Sequence, residues 1–226
     1  MEGNPVFRWS WVADNSDRIV EQLIEHIQLT GIAILVGLLI SLPVGIYAQR
    51  HRRALPPVIG FTGILYTIPS VALFAFLLPY TGLSFWTAEI GLVGYTLLIL
   101  IRNIVAGLNS VPEDVKESAV GMGYTPTQVL WRVELPLALP VIVAGIRIAT
   151  VTTIGLITVT ALIGLGGFGR FILEGFRTIN QNANTIMLVG AVLSVVLAVA
   201  ADLLLLAGEK VLAPWSRKVA GSQTAT

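Results

Sequence analysis

The sequence predicts an all-α integral membrane protein with about five transmembrane helices. Of its 226 residues, 55% are hydrophobic and 12% are charged, and the mean hydropathy is +0.82. Soluble domains carry about 25% charged residues. Several apolar stretches are long enough to cross a hydrocarbon core, which takes roughly 20 residues of helix. Because backbone groups inside lipid must satisfy their own hydrogen bonds, each of these stretches is expected to be helical.

The predicted spans follow one another along the chain, separated by more polar connections. They cover, in order, Ile27–Ala48, Val58–Leu78, Ile90–Leu108, Leu137–Ile163 and Ile186–Ala207. These limits divide the chain into an external segment, 1–26, a transmembrane domain, 27–207, and a C-terminal tail, 208–226. The start of the chain lacks the basic region and small-residue cleavage site of a removed signal peptide, so the first span is expected to direct insertion.

Basic residues near the span ends predict the orientation. One alternating set of connections contains Arg50, Arg52, Arg53, Lys116, Arg132, Lys210, Arg217 and Lys218. The other set contains Arg8, Arg18, Arg170 and Arg177. The positive-inside bias places the richer set in the cytoplasm. The N-terminus is therefore predicted to lie outside, and the C-terminus and the connection between spans three and four to lie in the cytoplasm.

Composition excludes several classes of function. The formal net charge is +1 and the basic residues are scattered, which argues against nucleic-acid binding. There is no cysteine, and His26 and His51 lack the spacing of metal ligands. Serine, acidic and histidine residues show no local arrangement of nucleophile, base and orienting group. Neither a metal nor another cofactor is predicted on this chain.

Small and hydroxylated residues form one face on each of two spans. On span two these residues are Gly63, Tyr66, Thr67 and Ser70, and on span four they are Thr150, Thr153, Thr160 and Gly164. Both faces are predicted to point into the helix bundle. Helix packing is the commoner role of such residues, and lining a translocation path is the alternative. Phe74 lies farther round span two and is expected to face lipid.

The polar connection at residues 110–136 predicts two short helices. Ser110 with Glu113, and Thr125 with Gln128, have the spacing of capping boxes. The first helix is predicted over about Val111–Met122, with Gly123 at its end. The second helix follows at once, and Pro136 marks the entry to span four. Such an elbow suits docking into a groove of another protein, and a solvated connecting loop is the alternative.

The segment GLGGFGRF contains Gly164, Gly166, Gly167 and Gly169 and matches G-x-G-x-x-G. A dinucleotide fingerprint must follow a strand, whereas this segment follows a predicted membrane helix. The glycines are instead predicted to turn the chain sharply and to allow close helix approach near the outer mouth. The following residues, FILEGFRTINQ, are predicted to form a short helix or loop that shapes an outer gate.

Charges inside the predicted spans bear on the energy source. An ion-coupled secondary transporter is expected to carry an ionisable group near mid-membrane. Arg102, Arg147 and Asp202 each lie within about two turns of a predicted cytoplasmic end, where snorkelling or pairing accounts for them. This distribution argues against ion coupling.

The elbow also resembles the "EAA…G…I.LP" signature of permease subunits from ATP-binding-cassette (ABC) importers. The matching residues are Glu117, Ser118, Ala119, Gly123, Val133, Leu135 and Pro136, with Ser118 and Val133 as mild substitutions. A broader resemblance to bacterial glycine betaine, carnitine and choline permeases covers about Gly31 to Ala207. It includes YTIPSVALFAFLLP, IRNIVAGLNSVPEDVKESAVGMGY and ALIGLGGFGRFILEGF.

The resemblance implies a permease subunit in a bacterial cytoplasmic membrane that imports quaternary-ammonium compatible solutes. The seven signature residues would couple it to ATP hydrolysis. Its implied partners are two ATP-binding subunits, which would hold ATP and Mg²⁺, a second permease of the same or a related kind, and an extracytoplasmic substrate-binding protein. A methionine-type importer, an ion-coupled secondary transporter and a structural membrane scaffold remain alternatives.

Overall fold

The computed structural model describes residues 7–179 and 181–212, which form an α-helical membrane domain. The predictions for Arg217 and Lys218 lie outside these residues. The helices are α1 (Trp9–Asp14), α2 (Ser16–Arg50), α3 (Leu55–Thr67), α4 (Ser70–Thr81), α5 (Phe85–Asn109), α6 (Glu113–Gly121), α7 (Pro126–Val129), a π-helical turn (Leu130–Glu134), α8 (Leu135–Thr160), a 3-10 turn (Ala161–Ile163), α9 (Gly169–Arg177) and α10 (Ala183–Leu212).

The predicted all-helical membrane class is confirmed. Among the described residues, 4 helices are long and apolar enough to cross a membrane, or 5 if a bent pair counts as one span. Helix α2, which contains the first predicted span, begins at Ser16 rather than at Ile27. Helix α10 likewise extends the fifth predicted span at both ends. Polar residues continue these helices because the hydrophobic pattern marks only the part that fits within lipid.

The second predicted span, Val58–Leu78, is wrong as a continuous helix. It consists of α3 and α4, which meet at an angle of 94°. Ile68 and Pro69 adopt extended backbone conformations at the break. A proline disfavours the α conformation of the residue before it, and its own nitrogen cannot donate the next helical hydrogen bond. Pro69 therefore favours a break at this point, but a proline alone does not produce one, since Pro79 lies within a continuing helix.

Helix α5 lies at the centre of the described bundle and packs against α2 and α8. Glycines allow these helices to approach closely. A Cβ atom on Gly45 of α2 would meet Ile104 of α5, and one on Gly145 of α8 would meet Asn103. Buried aliphatic side chains from all three helices form the core around these contacts. Small residues at such crossings favour helix association in lipid, where apolar surface alone gives little driving force.

Candidate functional site

The end of α6 is a tight glycine turn. The Gly123 amide donates to Val120 O at 2.9 Å, and the Tyr124 amide donates to Ala119 O at 3.1 Å. Gly123 has a φ angle of +88°. This pair of bonds is a Schellman motif, in which the residue after the helix adopts a left-handed conformation that favours glycine. The predicted end of the helix at Gly123 is confirmed.

Of the two predicted capping boxes, one is correct. Thr125 and Gln128 make both reciprocal hydrogen bonds at the start of α7. The prediction for Ser110 is wrong, because its hydroxyl donates to Gly107 O at 2.7 Å and thus belongs to the end of α5. Helix α6 begins at Glu113 with Pro112 as its N-cap, so the cap has no side-chain hydrogen bond.

The second short helix is not separate from span four. Residues Pro126–Ile163 form one helical run. Its π-helical turn has a hydrogen bond from the Leu135 amide to Leu130 O. Pro136 cannot donate to the carbonyl four residues earlier, and its ring would crowd that carbonyl in a regular α-helix. A local widening of the helix accommodates this misfit, so Pro136 lies inside the run and does not divide it.

The elbow, defined as residues 110–136, has one buried and one exposed side. Val111, Ala119, Val129 and Leu130 are buried. Glu134 is buried and accepts a hydrogen bond from Arg50 Nη2 at 3.3 Å. This ion pair connects the elbow to the end of α2, and the sequence pattern did not indicate it. On the exposed side lie four large apolar residues, Val115, Val120 (60% exposed), Met122 (70%) and Trp131 (59%).

The seven signature residues divide between these two sides. Glu117, Ser118 and Gly123 are exposed, and Ala119 is fully buried. Val133, Leu135 and Pro136 are half-buried. The structure thus brings the signature into one folded elbow in which acidic and apolar groups are both accessible to a partner protein.

The break between α3 and α4 forms a second polar locus. The Tyr95 hydroxyl of α5 donates to Ile68 O, a carbonyl left without a helical partner. The rings of Tyr66 and Tyr95 meet edge to face with centroids 5.8 Å apart. Tyr66 is 38% exposed. The predicted common face is wrong for Ser70, because Ser70 begins α4 on the far side of the break. Phe74 is buried against Gly91 and does not face lipid.

The hydroxyl face of span four points into the bundle, as predicted. Thr150, Thr153 and Thr160 are all buried within the chain. Thr150 donates to Ile146 O, and Thr160 donates to Ile157 O. These hydroxyls satisfy backbone carbonyls of their own helix, which supports the packing role. Their assignment to a translocation path stays a prediction.

The glycine segment after α8 turns sharply against the start of α2. Gly164, Gly166 and Gly167 have positive φ angles. Gly169 does not, but a Cβ atom there would collide with the backbone of Thr158. The segment follows helix α8 and precedes helix α9, which is the wrong context for a dinucleotide fingerprint. The predicted sharp turn, close approach and short helix are therefore found, while the outer gate stays a prediction.

Two residues of α2 hold this glycine segment, and the sequence pattern indicated neither. His26 is fully buried, with Nε2 3.1 Å from Ile154 O and Nδ1 accepting from the Phe168 amide at 3.3 Å. Glu25 accepts from the Gly166 amide and from Arg170 Nη2, each at 3.3 Å. We call Glu25, His26 and residues 164–170 the glycine latch.

The charged residues inside the membrane-spanning helices differ in their burial and in whether they have a hydrogen-bond partner. Arg147 makes two hydrogen bonds with Asp202, at 2.9 and 3.0 Å, so pairing, one of the two explanations left open by the sequence, applies to these residues. Arg102 is exposed on α5. Glu89, which the predicted limits of span three left out, is buried inside α5 without a hydrogen-bond partner.

Comparison with known families decides the class of protein. A family model described as binding-protein-dependent transport system inner membrane component matches residues 31–210. This chain belongs to that family. It is thus a transport component, a permease that crosses a bacterial inner membrane several times.

Curated relatives of this permease share about a third of its residues. It is 36% identical over 200 residues to the choline transport system permease protein OpuBB of Bacillus subtilis (strain 168), covering 88% of this chain and 91% of the relative. It is 35% identical over 209 residues to the glycine betaine/carnitine/choline transport system permease protein OpuCD of the same organism, covering 92% and 90%.

A solved structure of the MetNI methionine ABC transporter, in an inward-facing conformation, has the same fold as this permease. The TM-score is 0.77 at 24% identity, over 86% of this chain and 95% of the other.

Proposed function

We propose that this permease forms half of the translocation path of an ABC importer for quaternary-ammonium compatible solutes such as glycine betaine, carnitine and choline. The observation that carries the proposal is the folded elbow, which gathers the residues of the importer signature and exposes three of them, Glu117, Ser118 and Gly123. The names of the relatives support the solute class. Five helices with mostly apolar outer faces enclose little space, so the complete path needs a second permease of the same or a related kind.

In this proposal the elbow lies in the cytoplasm and docks into an ATP-binding subunit, one for each permease. Its acidic Glu113, Asp114 and Glu117 and its apolar Val120 and Met122 supply charge and apolar anchors for a groove. A movement of the elbow would reach α2 through the Arg50–Glu134 ion pair. The same movement would reach α8 through the continuous helical run that begins at Pro126. ATP and Mg²⁺ act on the partner subunit, and a binding protein delivers the solute at the opposite face.

A second candidate, an ion-coupled secondary transporter, has one observation in its favour. Glu89 is a buried carboxyl group without a hydrogen-bond partner inside a membrane-spanning helix, and such groups often bind coupling ions. The signature elbow argues for the ABC importer, because an ion-coupled carrier has no ATPase to dock. A methionine importer shares the fold and differs only in its solute.

The two energy sources can be separated in vesicles that contain the complete transporter. Glycine betaine uptake should require ATP in the compartment that holds the ATP-binding subunits, and it should persist when ionophores collapse the proton and sodium gradients. The matched control is the same preparation with ADP. Uptake that stops when the ionophore is added while ATP stays high would favour the ion-coupled carrier. ATP-driven uptake of methionine but not of glycine betaine would show that the proposed solute class is wrong, while the ABC importer would stand.

A further inference from the structure

Arg102 lies on the membrane-spanning helix α5, seven residues before the end of that helix at Asn109. It is exposed, and no hydrogen bond or ion pair joins it to any residue that the structure describes. Arg147, the comparable residue of α8, is paired with Asp202 and lies 3.6 Å from Glu209. A guanidinium group within a spanning segment is costly when it faces lipid, and such residues usually face a partner or a water-filled cavity. The exposure of Arg102 is therefore consistent with a position beside a partner or a water-filled path.

The residues one turn from Arg102 on α5 are apolar, namely Leu98, Ile99, Val105 and Ala106, and polar residues of the same stripe lie two turns away. Tyr95, seven residues earlier, and Asn109, seven residues later, lie on the same stripe of the helix, with small, exposed Ala106 between Arg102 and Asn109. Asn109 Oδ1 accepts from Gln49 Nε2 at 3.3 Å. It also lines a pocket of about 760 Å³ at the end of the helix. The exposed residues at the other end of α5, Trp86 and Ile90, are apolar and lie on a different side.

At its other end the stripe reaches the broken span. Tyr95 donates to Ile68 O at the break, and Tyr66 packs its ring against that of Tyr95. Seven residues of α-helix span about 10 Å, so Arg102 lies about that far along α5 from the tyrosine pair. Side chains on a helix lean toward its N-terminus. The Arg102 side chain is thus expected to lean along α5 toward Tyr66 and Tyr95. To reach the membrane surface near Asn109, it would have to turn in the opposite direction.

We propose that Arg102 binds the carboxylate group of solutes that carry both a quaternary ammonium and a carboxylate, while the ring of Tyr66 receives the ammonium group. A guanidinium binds a carboxylate through two parallel hydrogen bonds. A quaternary ammonium has no N–H to donate and binds to the faces of aromatic rings. This inference rests on the proposed function and deepens it, because it assigns part of the solute selectivity to the permease itself.

Glycine betaine and choline form a matched pair for the test. Both have a trimethylammonium head, but only glycine betaine has a carboxylate. Uptake of each is measured in vesicles with the complete transporter, ATP on the side of the ATP-binding subunits, and solute at a concentration that saturates the binding protein. In Arg102→Gln we expect glycine betaine uptake to fall about tenfold, the usual scale for losing a charged hydrogen bond, with choline uptake changed less than about twofold.

Two further variants sharpen the result. Arg102→Lys keeps the charge but loses the two-pronged geometry, so it should retain part of the glycine betaine uptake. Tyr66→Ala should lower uptake of both solutes, because both share the ammonium head, and Tyr66→Phe should be milder because the ring remains.

Several outcomes would overturn the inference. An equal loss of glycine betaine and choline uptake in Arg102→Gln would indicate that Arg102 has a structural role. If the variant also no longer co-purified with the second permease, Arg102 would be assigned to pairing between the two permeases. Unchanged uptake of both would indicate that Arg102 only contacts lipid or water. A wild type that transported choline but not glycine betaine would also contradict the inference. If the wild type transported no quaternary ammonium solute, the proposed function itself would fail. If the wild type transported both solutes and the ratio of glycine betaine to choline uptake were unchanged in Arg102→Gln, only the inference about Arg102 would fail.

Discussion

The glycine latch and the elbow both depend on glycine, but they use it for opposite purposes. In the latch, a Cβ atom on Gly166, Gly167 or Gly169 would lie within 3.0 Å of other atoms of the chain. In the elbow, a Cβ atom on Gly121 or Gly123 would have nothing within 4 Å. These three latch glycines bring parts of this chain together, whereas the elbow glycines leave a surface open.

The same contrast appears in the side chains. Glu25 and His26 make hydrogen bonds inward to the backbone of the latch. In the elbow, Met122 and Trp131 are mostly exposed although both are large and apolar. A buried polar group that is hydrogen-bonded links parts of the chain that contains it, and an apolar group turned outward gains burial only from a partner. The comparison teaches that latch variants should act on folding and elbow variants on assembly.

The largest effect is expected from Gly169→Ala. Its Cβ atom would collide with backbone atoms of Thr158, which cannot rotate away as a side chain could. Overpacking of this kind costs about 1–3 kcal/mol. We expect a lower temperature of unfolding in detergent and a lower yield of folded protein. Gly155→Ala, where nothing lies within 4 Å, is the control. Equal stability of the two variants would contradict the close packing of the latch.

Gly123→Val should affect assembly more than folding. Left-handed backbone costs a residue with a side chain about 1–2 kcal/mol, and a β-branched residue tolerates it least. The Schellman turn should therefore distort while the rest of the chain stays folded. We expect the ATP-binding subunit to co-purify less and solute-stimulated ATP hydrolysis to fall, with little change in the temperature of unfolding. Gly121→Ala is the control, since Gly121 lacks a positive φ angle. Normal co-purification and hydrolysis in Gly123→Val would break the docking assignment.

Glu25→Gln should have the smallest effect of the three. The Arg170 side chain is 42% exposed, and ion pairs open to water contribute about 0.2–1 kcal/mol. Glutamine still offers an oxygen to the Gly166 amide. We expect a loss of stability below about 1 kcal/mol, decreasing further at high salt, as measured by thermal unfolding at two salt concentrations. A loss as large as that of Gly169→Ala would show that charge, rather than close packing, stabilises the latch.

The sequence by itself determined the features that depend on local chemistry. Apolar length predicts membrane helices because lipid excludes unpaired backbone groups. The Thr125–Gln128 cap and the Gly123 turn were predictable because their hydrogen bonds join residues only a few positions apart. The Ser110 cap failed despite the same spacing, since α5 extends to Asn109 and takes the Ser110 hydroxyl for its own end.

Only the tertiary structure decided which polar groups meet across the chain. The Arg50–Glu134 pair, the His26 contact with Phe168 and the Tyr95 bond to Ile68 join residues on different helices. No periodic pattern encodes such pairs, because they depend on the packing angles and relative heights of whole helices. Pro69 alone likewise did not predict the 94° break, since Pro43, Pro79 and Pro140 lie within continuing helices. The break is accommodated where Tyr95 of the neighbouring helix supplies a partner for the freed carbonyl.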